Sequence, residues 1–104
     1  NTICSATADR QQSAVSLAGS SDFMIVIGGK HSSNTVKLFE ICKKHCADCI
    51  LITDADELDR ENILERLSNI GENINIGITA GASTPAYIIK EVQNQMSEIL
   101  KNND

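Results

Sequence analysis

Residues Phe23–Ile27, with the sequence FMIVI, form a continuous apolar run bounded by turn residues. Such a run lacks the polar alternation of a half-exposed strand and predicts a strand covered on both faces, as in a parallel sheet. Cys49–Thr53 (CILIT) predicts a second buried strand, and Ile74–Thr79 predicts a third that is less purely apolar. These runs place buried parallel strands at the centre of the fold.

Helical patterns alternate with the strands. Ala14, Val15 and Ala18 give the first helix an apolar stripe, with Thr7 as its expected N-cap. Pro85 suits the first turn of the last helix, whose apolar residues recur at helical spacing. The other two helices are predicted over Thr35–His45 and Arg60–Leu67. Strand–helix alternation favours a three-layer α/β/α domain around a small parallel sheet of three to four strands.

The bulk properties fit one small domain over residues 1–104, with 41% apolar residues. A net charge of −5 argues against nucleic acid or an anionic membrane as a partner. No apolar run approaches the roughly 20 residues that a membrane helix requires, and no secretion signal is recognisable. The chain does not begin with Met, and we expect it to derive from a longer protein.

Two loops of similar composition each follow a predicted strand and open a helix. The first is Gly28–Asn34 (GGKHSSN) and the second is Ala80–Pro85 (AGASTP). The carboxyl ends of parallel strands are where α/β domains bind ligands, and helix N-termini offer N–H donors to anions. Two such loops at one sheet edge favour an anion site. The alternative is that Ser33 or Asn34 in the first loop, and Ser83 or Thr84 in the second, only cap helices.

The cysteines fall into two groups. Cys4 is expected just before the first helix, where a thiolate suits a metal ligand or nucleophile, although an inert thiol remains an alternative. Cys42, Cys46 and Cys49 have the ligand spacing of radical S-adenosylmethionine enzymes, and His45 among them could complete a zinc site. They fall, however, on the end of an amphipathic helix and the start of a buried strand, which favours core thiols.

Three segments together resemble a known family. The segment TICSAT (residues 2–7) followed by Arg10-Gln11, the loop GKHSSN (29–34) and the loop GITAGASTP (77–85) resemble motifs of the 4-hydroxy-3-methylbut-2-enyl diphosphate reductase family, in the same order and spacing. The resemblance covers the whole chain but only the last third of the family's enzyme. His31 stands where the family usually has Asn.

The resemblance implies the C-terminal domain of a three-domain oxidoreductase with a central 4Fe-4S cluster. It implies that Cys4 is one cluster ligand, and that the diphosphate of the substrate is held by Ser32, Ser33, Asn34 and Ser83. No catalytic residue is expected in this sequence, because the family's histidine and glutamate lie in the two preceding domains. An isolated fragment is therefore expected to lack activity and cluster.

The family's reaction removes the hydroxyl of (E)-4-hydroxy-3-methylbut-2-enyl diphosphate and gives isopentenyl and dimethylallyl diphosphate, in the non-mevalonate pathway. The resemblance implies an electron-donor protein such as ferredoxin or flavodoxin, and a cytoplasmic or plastid-stromal location. A stand-alone phosphocysteine carrier or an anion-binding module is the alternative. In such carriers the cysteine follows a first strand, and no strand is predicted before Cys4.

Overall fold

The computed structural model describes residues 2–7, 11–71, 73–81 and 83–101, with backbone alone for residues 2, 4–7, 11 and 12. Within these ranges, four parallel strands form one sheet in the order β1-β4-β2-β3. The strands are β1 (Thr2–Thr7), β2 (Phe23–Ile27), β3 (Cys49–Ile52) and β4 (Asn75–Ala80). The helices are α1 (Gln11–Ser20), α2 (Ser33–His45), α3 (Arg60–Ile70) and α4 (Ala86–Lys101), with a 3₁₀ turn at Ala55–Glu57.

The two faces of β2 pack against different helices, which explains why its sequence is apolar throughout. Phe23, Ile25 and Ile27 belong to the apolar cluster that includes residues of α3 and α4. Met24 and Val26 belong to the second cluster, with residues of α1 and α2. All five side chains are fully buried. The three-layer α/β/α architecture expected from the sequence is confirmed.

Helix boundaries follow local capping chemistry. The Ser32 side chain accepts a hydrogen bond from the Thr35 amide and caps α2. Asp59 caps α3 in the same way, by accepting from the Glu61 amide. Gly71 ends α3 with a φ of 132°, a conformation that favours glycine. The predicted strands and helices agree with the observed ones to within a few residues, and β2 agrees at both ends.

The first strand is a correction to the sequence prediction. Residues Thr2–Thr7 form β1, so Thr7 ends a strand instead of capping the first helix. Cys4 lies within this strand, paired with Gly77 of β4, and not at a helix N-terminus. The sequence TICSAT is short and rich in small residues, and it has no continuous apolar run. It forms a strand because β4 offers a pairing edge.

No helix among the described residues is long and apolar enough to cross a membrane.

Gly77 allows the sheet to approach α1 closely. A Cβ at this position would lie 2.6 Å from Ser21 Oγ and 2.9 Å from Leu17 Cγ, and would also overlap the Met24 sulfur. We expect Gly77→Ala to lower the free energy of unfolding by about 1–3 kcal/mol through overpacking. Urea denaturation measures the change.

Gly19→Ala is the matched control, because a Cβ there meets no atom within 4 Å. It should raise stability by about 0.5–1 kcal/mol, since alanine favours the helical conformation more than glycine does. Equal effects of the two substitutions would contradict the packing assigned to Gly77.

Candidate anion-binding site

The two polar loops lie side by side because their strands are neighbours. β2 and β4 pair in parallel, with Ile27 opposite Ala80 at their carboxyl ends. Loop A (residues 28–34, the last two of which already belong to α2) follows β2, and loop B (residues 81 and 83–85 among those described) lies between β4 and α4. Both loops therefore emerge at the same edge of the sheet, as the sequence predicted.

The carbonyl of Ile27 joins the two loops. It accepts a hydrogen bond from the Gly81 amide at 3.0 Å and another from Thr84 Oγ1 at 3.2 Å. Within loop B, the Thr84 amide donates to the Gly81 carbonyl at 3.0 Å. The last residue of β2 thus fixes the path of loop B at two points, directly beside the start of loop A.

The polar side chains of the predicted diphosphate site lie on these loops and are accessible. Ser32 is half-buried and caps α2, whereas Ser33 and Asn34 are exposed on its first turn. Ser83 is exposed in loop B. The N-terminal turn of a helix carries amide donors without intrahelical partners and the positive end of the dipole. Hydroxyl, amide and backbone donors at this edge are suited to phosphate oxygens.

The structure also separates capping from other roles in loop A. The N-cap of α2 is Ser32, and not Ser33 or Asn34 as the capping interpretation of the sequence proposed. The side chains of Ser33 and Asn34 are therefore not used for the cap. They remain exposed on the first turn, where a ligand can reach them.

Thr35 fills the space between the two loops. Thr35 is 1% exposed, and its hydroxyl has no hydrogen-bond partner among the residues that the structure describes. A Cβ on Gly28 would lie 2.7 Å from Thr35 Cγ2 and Oγ1, and a Cβ on Gly81 would lie 2.7 Å from Thr35 Oγ1. Both loops therefore need glycine where they pass Thr35. No local pattern in the sequence indicates this packing, because Thr35 is distant in sequence from Gly81.

A double-mutant cycle tests this packing. We expect Gly81→Ala to destabilise the fold by about 1–3 kcal/mol, because threonine is stiff at χ1 and cannot easily move aside. In a Thr35→Ala background the same change should cost little, because the nearest remaining atom, Thr35 Cβ, lies 3.8 Å away. Chemical denaturation of the four variants gives the coupling energy.

Gly28→Ala provides an internal comparison. Here Thr35 Cβ itself lies 3.2 Å from the added carbon, so Thr35→Ala should relieve the overlap only in part. Additive effects of Gly81→Ala and Thr35→Ala would contradict a direct contact.

Lys30 links loop A to the 3₁₀ turn. Its Nζ lies 2.7 Å from Glu57 Oε2, and Glu57 Oε1 accepts from the Thr53 amide at 3.0 Å. The hydrogen bond from Lys30 holds the pKa of the Glu57 carboxyl below its usual value. In the sequence Glu57 is only one of four residues of an acidic segment (Asp54, Asp56, Glu57 and Asp59), and it lies 27 residues from Lys30, so its role could not be predicted.

The neighbouring acidic residues have local roles. Asp54 caps the 3₁₀ turn by accepting from the Asp56 amide at 3.0 Å. Asp59 caps α3. Two carboxylates of the acidic segment, those of Asp54 and Asp59, therefore cap helical turns, and that of Glu57 is directed to loop A.

Cys4 lies apart from the loops along the strand direction. It is three residues before Thr7, which pairs with Ala80 at the carboxyl end of the sheet. Because a parallel strand rises about 3.3 Å per residue, Cys4 lies about 10 Å from Thr7 along β1. Its side chain is outside the described part of the structure, so the predicted ligand role stays a prediction. The backbone places it on β1, an edge strand next to β4.

The other three cysteines are core residues. The side chains of Cys42, Cys46 and Cys49 are 0%, 3% and 9% exposed. Burial, with a smaller effect of the neighbouring thiols, raises the pKa of Cys42 to about 11 and that of Cys49 to about 12. Among the described side chains, no group of three or more His, Cys, Asp or Glu residues could hold a metal ion. The interpretation of these thiols as core packing agrees with their burial.

These thiols should make stability depend on alkaline pH. The folded protein keeps the Cys42 proton up to about pH 11, whereas an unfolded thiol titrates near pH 8.5. The stabilisation is complete below about pH 8.5 and is lost as the pH rises towards the folded pKa. We expect Cys42→Ala to show a smaller loss of unfolding free energy across this interval than the unsubstituted chain. Equal pH slopes would contradict the raised pKa.

A profile of the LytB protein family matches residues 1–97. The chain belongs to the LytB family. Its curated relatives carry the name 4-hydroxy-3-methylbut-2-enyl diphosphate reductase. The protein of Clostridium acetobutylicum is 52% identical over 98 residues, which are 94% of this chain and 14% of the relative. That of Clostridium perfringens is 52% identical over 100 residues, which are 95% of this chain and 33% of the relative.

Solved structures of LytB-family reductases have the same fold. One structure of (E)-4-hydroxy-3-methyl-but-2-enyl diphosphate reductase aligns with a TM-score of 0.72 and 39% identity, over 86% of this chain and 29% of the other. The Plasmodium falciparum reductase aligns with a TM-score of 0.70 and 27% identity, over 86% of this chain and 26% of the other. The chain spans a third or less of the length of these proteins.

Proposed function

We propose that this chain is the C-terminal, diphosphate-binding domain of a longer LytB-family reductase. The observation that carries the proposal is the meeting of loops A and B at one sheet edge, joined through the Ile27 carbonyl. Ser33, Asn34 and Ser83 are exposed there, and Ser32 is half-buried as the cap of α2. These four residues would hold the diphosphate together with amide groups of the first turn of α2.

The reaction proposed for the whole protein removes the hydroxyl of (E)-4-hydroxy-3-methylbut-2-enyl diphosphate. Two electrons and two protons enter, the carbon–oxygen bond breaks and water leaves, which gives isopentenyl or dimethylallyl diphosphate. The electrons would come from a donor protein such as ferredoxin or flavodoxin. This domain would contribute binding and orientation, because the diphosphate held at loops A and B fixes one end of the substrate.

Cys4 is the residue of this chain proposed to ligate a 4Fe-4S cluster. The described side chains contain no complete set of metal ligands, so the remaining ligands would come from elsewhere in the protein. The position of Cys4 on an edge strand, open on one side to another domain, supports this division. A bound cluster would supply electrons and a Lewis-acidic iron. The isolated domain is expected to bind diphosphate weakly and to lack activity.

The proposal is tested in a full-length chimera, in which this chain replaces the matching third of the Clostridium perfringens relative. We expect anaerobic turnover of the allylic diphosphate with a chemical reductant. Ser33→Ala and Ser83→Ala should each raise KM about 10-fold, since a hydrogen bond to a charged group contributes about 1.5–3 kcal/mol. Ser13→Ala, exposed on α1, is the control and should change nothing.

Cys4→Ser in the same chimera should remove the visible absorbance of the cluster together with turnover. Cys46→Ala, at a buried core thiol, should keep both. A chimera that folds and binds its cluster but fails to bind or turn over the substrate would overturn the proposed function. Retention of cluster and turnover in Cys4→Ser would overturn the ligand assignment alone.

A further inference from the structure

Lys30 is a cation within the proposed diphosphate loop, two residues before Ser32. A lysine in such a loop would ordinarily be assigned as a phosphate ligand. In this structure, however, its ammonium is 2.7 Å from Glu57 Oε2. The positive charge of loop A is therefore already paired within the protein.

Glu57 is itself held in place by the backbone. Its second oxygen, Oε1, accepts from the Thr53 amide at 3.0 Å, immediately after β3. A backbone bond from the Gly28 amide to the Ile52 carbonyl, 2.9 Å long, joins the start of loop A to the same strand end. Loop A is thus linked to the end of β3 at two points, one at its first residue and one at its third.

The ion pair contributes little to global stability, because Lys30 and Glu57 side chains are 52% and 33% exposed. Exposed pairs of this kind change an equilibrium constant by about 1.4- to 5-fold. The ion pair also affects the geometry of loop A, because Ser32, the N-cap of α2, lies only two residues after Lys30. The Ser32 amide also donates to the Gly29 carbonyl at 3.0 Å, so residues 29–32 form one turn that Lys30 links to Glu57.

We propose that Glu57 is a positioning residue, whose carboxylate holds Lys30 and loop A against the end of β3 and so places the first turn of α2 for diphosphate binding. This role rests on the proposed function. Glu57 does not touch the substrate. It acts through Lys30, and Lys30 acts through the position of Ser32, Ser33 and Asn34.

The test uses the full-length chimera with Glu57→Gln, Lys30→Met, both together, and the charge swap Lys30→Glu with Glu57→Lys. The readouts are KM for the allylic diphosphate, kcat, and the inhibition constant of inorganic pyrophosphate. We expect each single change to raise KM and the inhibition constant about 3–5-fold, the upper part of the range for an exposed pair, with kcat nearly unchanged. The double variant should be no worse than either single one, and the swap should restore most of the affinity.

Arg66 and Asp48 provide the matched control. They form an ion pair of 2.6 Å with side chains 39% and 25% exposed, and neither residue belongs to loop A or B. Asp48→Asn should lower thermal stability to a similar extent as Glu57→Gln while leaving KM unchanged. A rise of KM in Asp48→Asn equal to that in Glu57→Gln would overturn the proposal, because it would indicate general destabilisation.

Two other results would also overturn the positioning role. A lower KM in Glu57→Gln would show that released Lys30 binds the phosphate directly. An unchanged KM in Glu57→Gln, with normal turnover, would show that the link is without consequence for the site. If the parent chimera neither turned over the substrate nor bound pyrophosphate, the proposed function would fail, and the positioning role with it.

Discussion

The pairing of β2 with β4 is the constraint on which the site depends. These strands are distant in sequence but adjacent in the sheet, and their register places Ile27 opposite Ala80. Ile27 is the last residue of β2, and its carbonyl lies at the edge where both loops begin. Gly81 and Thr84 both donate to it. One backbone oxygen therefore sets the position of loop B relative to loop A.

Thr35, in the first turn of α2, imposes a second constraint on the two loops. Its hydroxyl is buried without a partner among the described groups, a situation that ordinarily costs about 1–3 kcal/mol. The side chain nevertheless occupies the space where both loop glycines lack a Cβ. Thr79 on β4 is also buried with an unpaired hydroxyl. The close approach of two loops to the start of α2 thus coincides with the buried hydroxyl of Thr35.

The buried strands and the two loops could be predicted because their signals are local. Five consecutive apolar residues at Phe23–Ile27 demand cover on both faces, and glycine with hydroxyl residues after each strand indicates a loop leading to a helix. β1 could not be predicted, since TICSAT carries small and polar residues and acquires its conformation from pairing with β4. The Lys30–Glu57 ion pair could not be predicted either. The two residues are 27 positions apart, and no local pattern encodes the strand order that brings them together.

A chain with a net negative charge can bind an anion through neutral hydrogen-bond donors, provided that these donors are placed accurately. The charge here is −5, and the one lysine of loop A is already paired with Glu57. What remains at the site are hydroxyls, an amide side chain, the His31 ring and backbone N–H groups, whose hydrogen bonds weaken steeply with distance and angle. Such donors bind only if their positions are fixed before the ligand arrives. Three contacts each fix a different part of the two loops, namely those of the Ile27 carbonyl, the Thr35 side chain and the Glu57 carboxylate. Together they hold the donors in position before a ligand binds.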